Sequence, residues 1–176
     1  HLGSFEVLRA VGRGQQGLKV AMMMYEDNAR KINATLEAIN PAATQDIIPL
    51  GRMDSMLQAR DKLDEGYLVG MLADRGLGDD ATVDCDFLGK PAPFPLGPFR
   101  MAAMLRRPVF FMTGLYLGGN RYQLHFEPIA DFSQTTREER DTAIHAAMQH
   151  YADRLTHYCR LAPYNWFNFF DFWQKK

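Results

Sequence analysis

Apolar residues along this chain fall into two patterns that take turns: helical spacing, and short unbroken runs. From Leu2 to Val11, the positions of Phe5, Val7, Leu8 and Ala10 suit a short amphipathic helix with Ser4 as its N-cap. Gly12, Gly14 and Gly17 close it and lead to a strand at Leu18–Met24. A second helix is predicted over Asn28–Ile39, stopping at Asn40-Pro41 because the residue before proline avoids helical backbone. A short strand at Ile47–Leu50 and a helix at Asp54–Leu63 follow. Tyr67–Ala73 is apolar without alternation, which suits a buried parallel strand.

The texture then changes. Asp74 to Asp80 is polar and glycine-containing, Thr82–Leu88 reads as a strand, and Gly89–Pro98 reads as a proline-rich loop. A helix is predicted at Phe99–Arg106. Strands at Pro108–Tyr116 and Arg121–Glu127 flank Gly118-Gly119-Asn120, a hairpin signal. The longest helix, Thr135–Cys159, opens on a Thr-x-x-Glu box at Thr135 and Glu138, with a second register at Thr136 and Glu139. The tail from Pro163 to Trp173 is almost entirely aromatic. Helices alternating with strands predict an α/β fold: a single domain spanning 1–176, with a mixed, mainly parallel central sheet flanked by helices and an antiparallel addition late in the chain.

Composition narrows the function. A formal net charge of −1 argues against a nucleic-acid-binding face, which needs a basic excess. Two cysteines, Cys85 and Cys159, sit in unrelated contexts, which favours a reduced compartment and leaves no cysteine metal site. The histidines His125, His145, His150 and His157 lack metal-ligand spacing with acidic partners, so neither a metal nor a cofactor is expected. No run of about 18 apolar residues exists to span a bilayer. A chain opening on His1, directly before an apolar helix, is expected to lack an upstream segment, which could hold an anchor. Gly12-x-Gly14-x-x-Gly17 fits a dinucleotide fingerprint only formally, because it follows a helix and precedes a strand, the reverse of what phosphate binding needs.

Candidate chemistry begins with His1 and Glu6. Five residues along an ideal helix is about 500°, so their side chains would sit roughly 140° apart and could not stack. They can meet only if His1 lies in the loop before the helix and Glu6 comes from its first turns. The positive end of the helix would then keep His1 neutral, and Glu6 would accept its second ring N–H. On spacing alone, a histidine before Leu-Gly-Ser reads equally well as the remnant of a purification tag.

His1-Leu2-Gly3-Ser4-Phe5-Glu6-Val7 resembles the H-x4-D/E block of the lipid A late-acyltransferase family, within the wider glycerolipid acyltransferase group. The resemblance continues through Glu65 to Arg75, Val83 to Ala92, Phe94-Pro95-Leu96-Gly97-Pro98-Phe99-Arg100-Met101-Ala102, and Arg107-Pro108-Val109-Phe110, in the family's order and over nearly the whole chain. It implies a glycerolipid acyltransferase-like fold. The implied reaction moves a fatty acyl group from an acyl thioester, acyl carrier protein or acyl-CoA, to a hydroxyl of a lipid acceptor such as a lipid A precursor. His1 would deprotonate that hydroxyl directly. It also implies work at a membrane surface, on the cytoplasmic face of the bacterial inner membrane. The residues agree: no G-x-S-x-G elbow is present, and neither cysteine sits beside a histidine.

Around this pair, Phe94, Pro95 and Gly97 are candidates to line the substrate site, since glycine lets backbone approach a ligand and a helix start points N–H groups at it. Arg100, one turn in, could meet an anionic head group, although Pro98-Phe99 stands where glycerolipid enzymes carry Thr-Arg. Asp74 and Arg75 follow a predicted buried strand, whose carboxyl end is where α/β sheets bind ligands, and an ion pair ending the strand is the competing reading. The aromatic tail suits either a bilayer interface or packing back on the domain. Two rival functions stand beside the transferase: a non-catalytic module binding lipid or acyl carrier, and a thioesterase that gives the acyl group to water.

Overall fold

A computed structural model of the chain describes residues 1–4, 7, 18–25, 46–76 and 80–174. The predicted helix at Asn28–Ile39, most of the predicted first helix, Glu6 and the glycines at 12, 14 and 17 lie outside the described residues. The contacts group into two compact units, one formed by Arg9–Leu72 and one by His1–Leu8 together with Ala73–Lys176.

The first of these holds the parallel part of the fold. Strand β1 (Lys19–Met24) lies between β2 (Asp46–Pro49) and β3 (Tyr67–Gly70), parallel to both, with Met22 opposite Ile47 on one side and Gly70 on the other. Helix α1 (Ser55–Asp64) makes the crossover that returns the chain from β2 to β3 on the far side of β1. Among the described residues of this unit, Ala21, Met22, Met23, Ile48 and Ala59 are the buried apolar ones.

The other unit is built from two antiparallel hairpins and two helices. Strands β4 (Thr82–Phe87) and β5 (Lys90–Pro95) are joined by Leu88-Gly89, both with positive φ (52° and 90°), as a tight two-residue hairpin turn demands. Helix α2 (Gly97–Met104) follows directly. Strands β6 (Pro108–Tyr116) and β7 (Tyr122–Asp131) pair along their length, with an irregularity at Val109/Phe110. Gly118 and Gly119 carry positive φ in the turn between them. Among the described residues, the predicted mainly parallel sheet is therefore confined to three strands, and the rest of the β structure is antiparallel ribbon. The cause is local: connections this short can only reverse the chain.

Helix α3 (Arg140–Leu161) covers both hairpins. Thr136 and Glu139 form the second of the two predicted boxes: Thr136 Oγ1 donates to Glu139 Oε2 at 2.9 Å, closing the turn just before the helix. Gln149 of α3 caps the free edge of β4, accepting from the Asp86 N–H at 3.0 Å and donating to its carbonyl at 3.2 Å. The core is an aromatic cluster centred on Phe87, with Phe94, Trp166, Phe172 and Trp173 around it at centroid distances of 5.0–6.0 Å. The tail divides between its two expected placements. Trp166, Phe172 and Trp173 pack inward, whereas Tyr164 (97% exposed), Phe167, Phe169 (90%) and Phe170 face outward.

Candidate active site

His1 to Ser4 run between β6 and the tail. Leu2 bridges Trp166, the Gly3 N–H donates to the Asn165 carbonyl at 2.8 Å, and the Phe167 N–H donates to the His1 carbonyl at 3.0 Å. On the other side the Ser4 N–H donates to the Gly114 carbonyl at 2.8 Å, and the buried Thr113 hydroxyl donates to the Leu2 carbonyl at 3.0 Å. Asn165 ties the tail to the same strand, accepting from the Tyr116 N–H at 2.7 Å. Two glycines make this close lay-down possible. Gly3 sits at φ 69°, and a Cβ there would lie 2.5 Å from the Gly114 carbonyl oxygen. A Cβ on Gly114 would lie 2.8 Å from the Ser4 carbonyl oxygen.

The segment so pinned delivers the His1 ring to two residues that are neighbours in sequence. Nδ1 lies 2.8 and 3.0 Å from the carboxylate oxygens of Asp74, a side chain only 2% exposed, and the backbone nitrogen of His1 lies 2.7 Å from Oδ2. On the opposite edge, Nη2 of Arg75 stands 2.7 Å from Nε2. Arginine has no acceptor, so Nε2 must be the acceptor. The ring proton therefore belongs to Nδ1 and points at Asp74. This arrangement places the ring proton toward Asp74 and the lone pair of Nε2 on the outward edge. Arg75 is exposed, and its guanidinium carbon lies 5.4 Å from the centroid of the Phe170 ring, so the outward part of the tail borders this edge.

Behind Asp74 the surroundings are apolar and resist further charge. Burial, reinforced by the Asp74 carboxylate, holds the Tyr151 phenol well above its ordinary ionisation range. Burial pushes the Cys159 thiol up to about 12 and the Cys85 thiol to about 11, so both remain protonated and neither is equipped as a nucleophile.

The predicted site residues therefore separate. His1, Asp74 and Arg75 come together. Asp74, expected to touch substrate, stands behind the imidazole, in the orienting position that sequence reasoning gave to Glu6, a residue outside the described ones. Phe94 is fully buried against Phe87, Tyr151 and Phe172, and Pro95 is buried beside it, so they shape the loop from beneath. Gly97 opens α2 with open space where a side chain would be. Arg100 lines a small depression with Asp141 and His145, and among the described residues no hydrogen bond joins it to His1. Sequence reasoning missed Gly3, Gly114, Thr113 and Asn165. Only Gly3, two residues after the histidine, carried any signal.

An α/β fold presenting a carboxylate-oriented imidazole at a solvent edge is the equipment of a general-base transferase or hydrolase. The chain belongs to the family of bacterial lipid A biosynthesis acyltransferases, whose sequence profile matches residues 3–175. His1 and Leu2 lie just ahead of the matched segment. No curated protein matches the chain in sequence. Membership fixes the class of reaction as acyl transfer to a lipid acceptor.

Proposed function

We propose that His1 is the general base of a direct acyl transfer from an acyl thioester to a lipid hydroxyl. Nε2 takes the hydroxyl proton as the oxygen attacks the thioester carbonyl. The tetrahedral oxyanion collapses by breaking the C–S bond, and the imidazolium returns its proton to the departing thiolate. Asp74 fixes the tautomer and steadies the transient cation, and the H-x4-D/E resemblance adds Glu6 as an orienter. The observation that carries this reading is the division of Asp74 and Arg75 across the two ring nitrogens, because it leaves Nε2 as the basic atom.

Acyl carrier protein is the donor we favour, with acyl-CoA as its substitute, and a lipid A precursor is the favoured acceptor. Gly97 and the start of α2 line the acyl site in this reading, with Arg100 toward the head group. The membrane surface is the workplace, on the cytoplasmic face of the inner membrane. In support of that, Phe110, Met112 and Tyr116 of β6 and Leu124 and Phe126 of β7 are exposed, as are the outward rings of the tail. Among the described residues no helix is long and apolar enough to cross a membrane.

The test uses the full-length protein in membranes with labelled acyl carrier protein and, separately, labelled acyl-CoA. Labelled lipid is expected from wild type, falling about 10²–10⁴-fold in His1→Ala. Free fatty acid alone would assign a thioesterase. Binding without turnover would assign a carrier- or lipid-binding module.

A further inference from the structure

The contact that defines the tautomer also blocks the base. Nε2 of a neutral imidazole has a single lone pair, and Arg75 Nη2 occupies it at 2.7 Å. An acceptor hydroxyl needs the same lone pair at about the same distance to hand over its proton. The guanidinium also carries full positive charge against the ring edge where the imidazolium charge must form. As described, then, the base is covered.

We propose that Arg75 is a latch on His1, released by a phosphate-type anion that one of the two substrates carries, so that Arg75 senses this anion before the base can act. The inference rests on the reading of His1 as the base. Three observations carry it. The guanidinium is exposed on the solvent edge of the ring, within reach of an incoming group. Its present partner is a neutral nitrogen, and a phosphate offering two parallel charge-assisted hydrogen bonds is the stronger partner. The Phe170 ring, 5.4 Å from the guanidinium carbon, gives the plane a face to rest on as it leaves Nε2.

Once Arg75 pairs with the anion, the lone pair is free and the cation beside it is neutralised. The groups around the ring are then Asp74, with the Tyr151 phenol and Cys159 thiol of α3 beyond it. Water without the anion leaves the latch closed, so Arg75 also guards the thioester against idle hydrolysis. The anion belongs either to the acceptor, as a lipid phosphate near the acylated hydroxyl, or to the donor, as the phosphate of its pantetheine arm.

Availability of Nε2 can be read without turnover. In the full-length protein at fixed pH, the rate at which diethyl pyrocarbonate modifies His1 is followed by mass spectrometry of its peptide. Arg75→Ala is expected to raise that rate about tenfold, as befits loss of one charged hydrogen bond, and Arg75→Lys to raise it less. In wild type, glycerol 3-phosphate accelerating the reaction where glycerol does not assigns the anion to the acceptor. 4′-Phosphopantetheine accelerating it where pantetheine does not assigns the anion to the donor. Neither should act on Arg75→Ala.

An unchanged rate in Arg75→Ala overturns the latch. Acceleration in that variant with no response of wild type to either phosphate overturns release by an anion. Lipid acylation surviving in His1→Ala sinks the base itself, a failure distinct from both.

Discussion

Two clusters in the same unit contain a carboxylate, an arginine and a ring, and they spend their charges differently. At the interface of β7 and α3, Glu127 and Arg154 pair with each other, with Nε and Oε2 2.5 Å apart and Nη2 donating to Oε1 at 3.0 Å, and the Tyr158 hydroxyl donates to the same carboxylate. The His125 ring lies tilted against Tyr158, with centroids 4.5 Å apart. That cluster answers its own charges and ties a strand to a helix. Asp74 and Arg75 are adjacent in sequence, yet no ion pair joins them. Each takes one nitrogen of His1 instead. A carboxylate and a guanidinium that neutralise one another hold the fold, whereas a pair divided across an imidazole polarises it. The same residue types hold a strand to a helix in one place and bracket an imidazole in the other.

The sharpest way to break this contrast is Asp74→Asn. It keeps the shape but can turn an N–H toward Nδ1, forcing the ring toward the other tautomer. We expect kcat to fall by about 10²–10⁴-fold with KM little changed, and Asp74→Glu to restore part of it. An equal rise in KM would instead make Asp74 a substrate contact. Next in size is Gly3→Ala. A methyl 2.5 Å from the Gly114 carbonyl, on a backbone at φ 69°, must lift the segment that carries His1. A misplacement of about 1 Å corresponds to a loss of about 10²-fold in kcat, with global stability measured in parallel to separate misplacement from unfolding.

The smallest effect belongs to Glu127→Gln, which should leave acyl transfer unchanged and lower Tm by a few degrees, equivalent to about 1 kcal/mol. Its hydrogen bonds from Tyr158 and Arg154 hold the Glu127 carboxyl below its ordinary value of 4.5. A depressed carboxyl contributes stability above that unfolded value and loses it as pH falls through the folded one. The gap in Tm between wild type and variant should therefore be full near neutrality and close as pH drops below about 4.5. A gap that persists in acid would show that packing, not charge, ties this strand to the helix.

Local rules carried much of the fold. The strand–helix–strand run from β2 to β3, the β6–β7 hairpin and the long α3 are legible because their signals lie within a dozen or so residues. β5 was hidden by Pro91, Pro93 and Pro95, which read as a loop. The two-residue turn at Leu88-Gly89 makes Phe87 and Lys90 a hydrogen-bonded pair, so Asp86 with Pro91 and Asp84 with Pro93 fall at positions that need no inward N–H. Every second residue being proline is thus compatible with one edge of a two-stranded ribbon. At the site, residue types pointed to His1, Asp74 and Arg75, but not to their roles. Which carboxylate meets which ring nitrogen depends on a closure across most of the unit, and no periodicity records it. The tail's division between core and solvent was unreadable for the same reason, since Phe169 and Phe172 are alike as residues and differ only in what lies beneath them.

The pairing of Leu2 with Trp166, and of His1 with Phe167, has a consequence in time. The segment bearing His1 leaves the ribosome long before the segment that clamps it, and until the later one emerges it has only β6 along one side, with Asp74 and Arg75 at the His1 ring, to lie against. Such distant contacts close late in folding, because the entropy of the intervening loop must be met first. In the mechanism we propose, His1 is therefore seated to take the acceptor's proton only once the aromatic end has been made and has docked, which withholds it from a nascent or clipped chain.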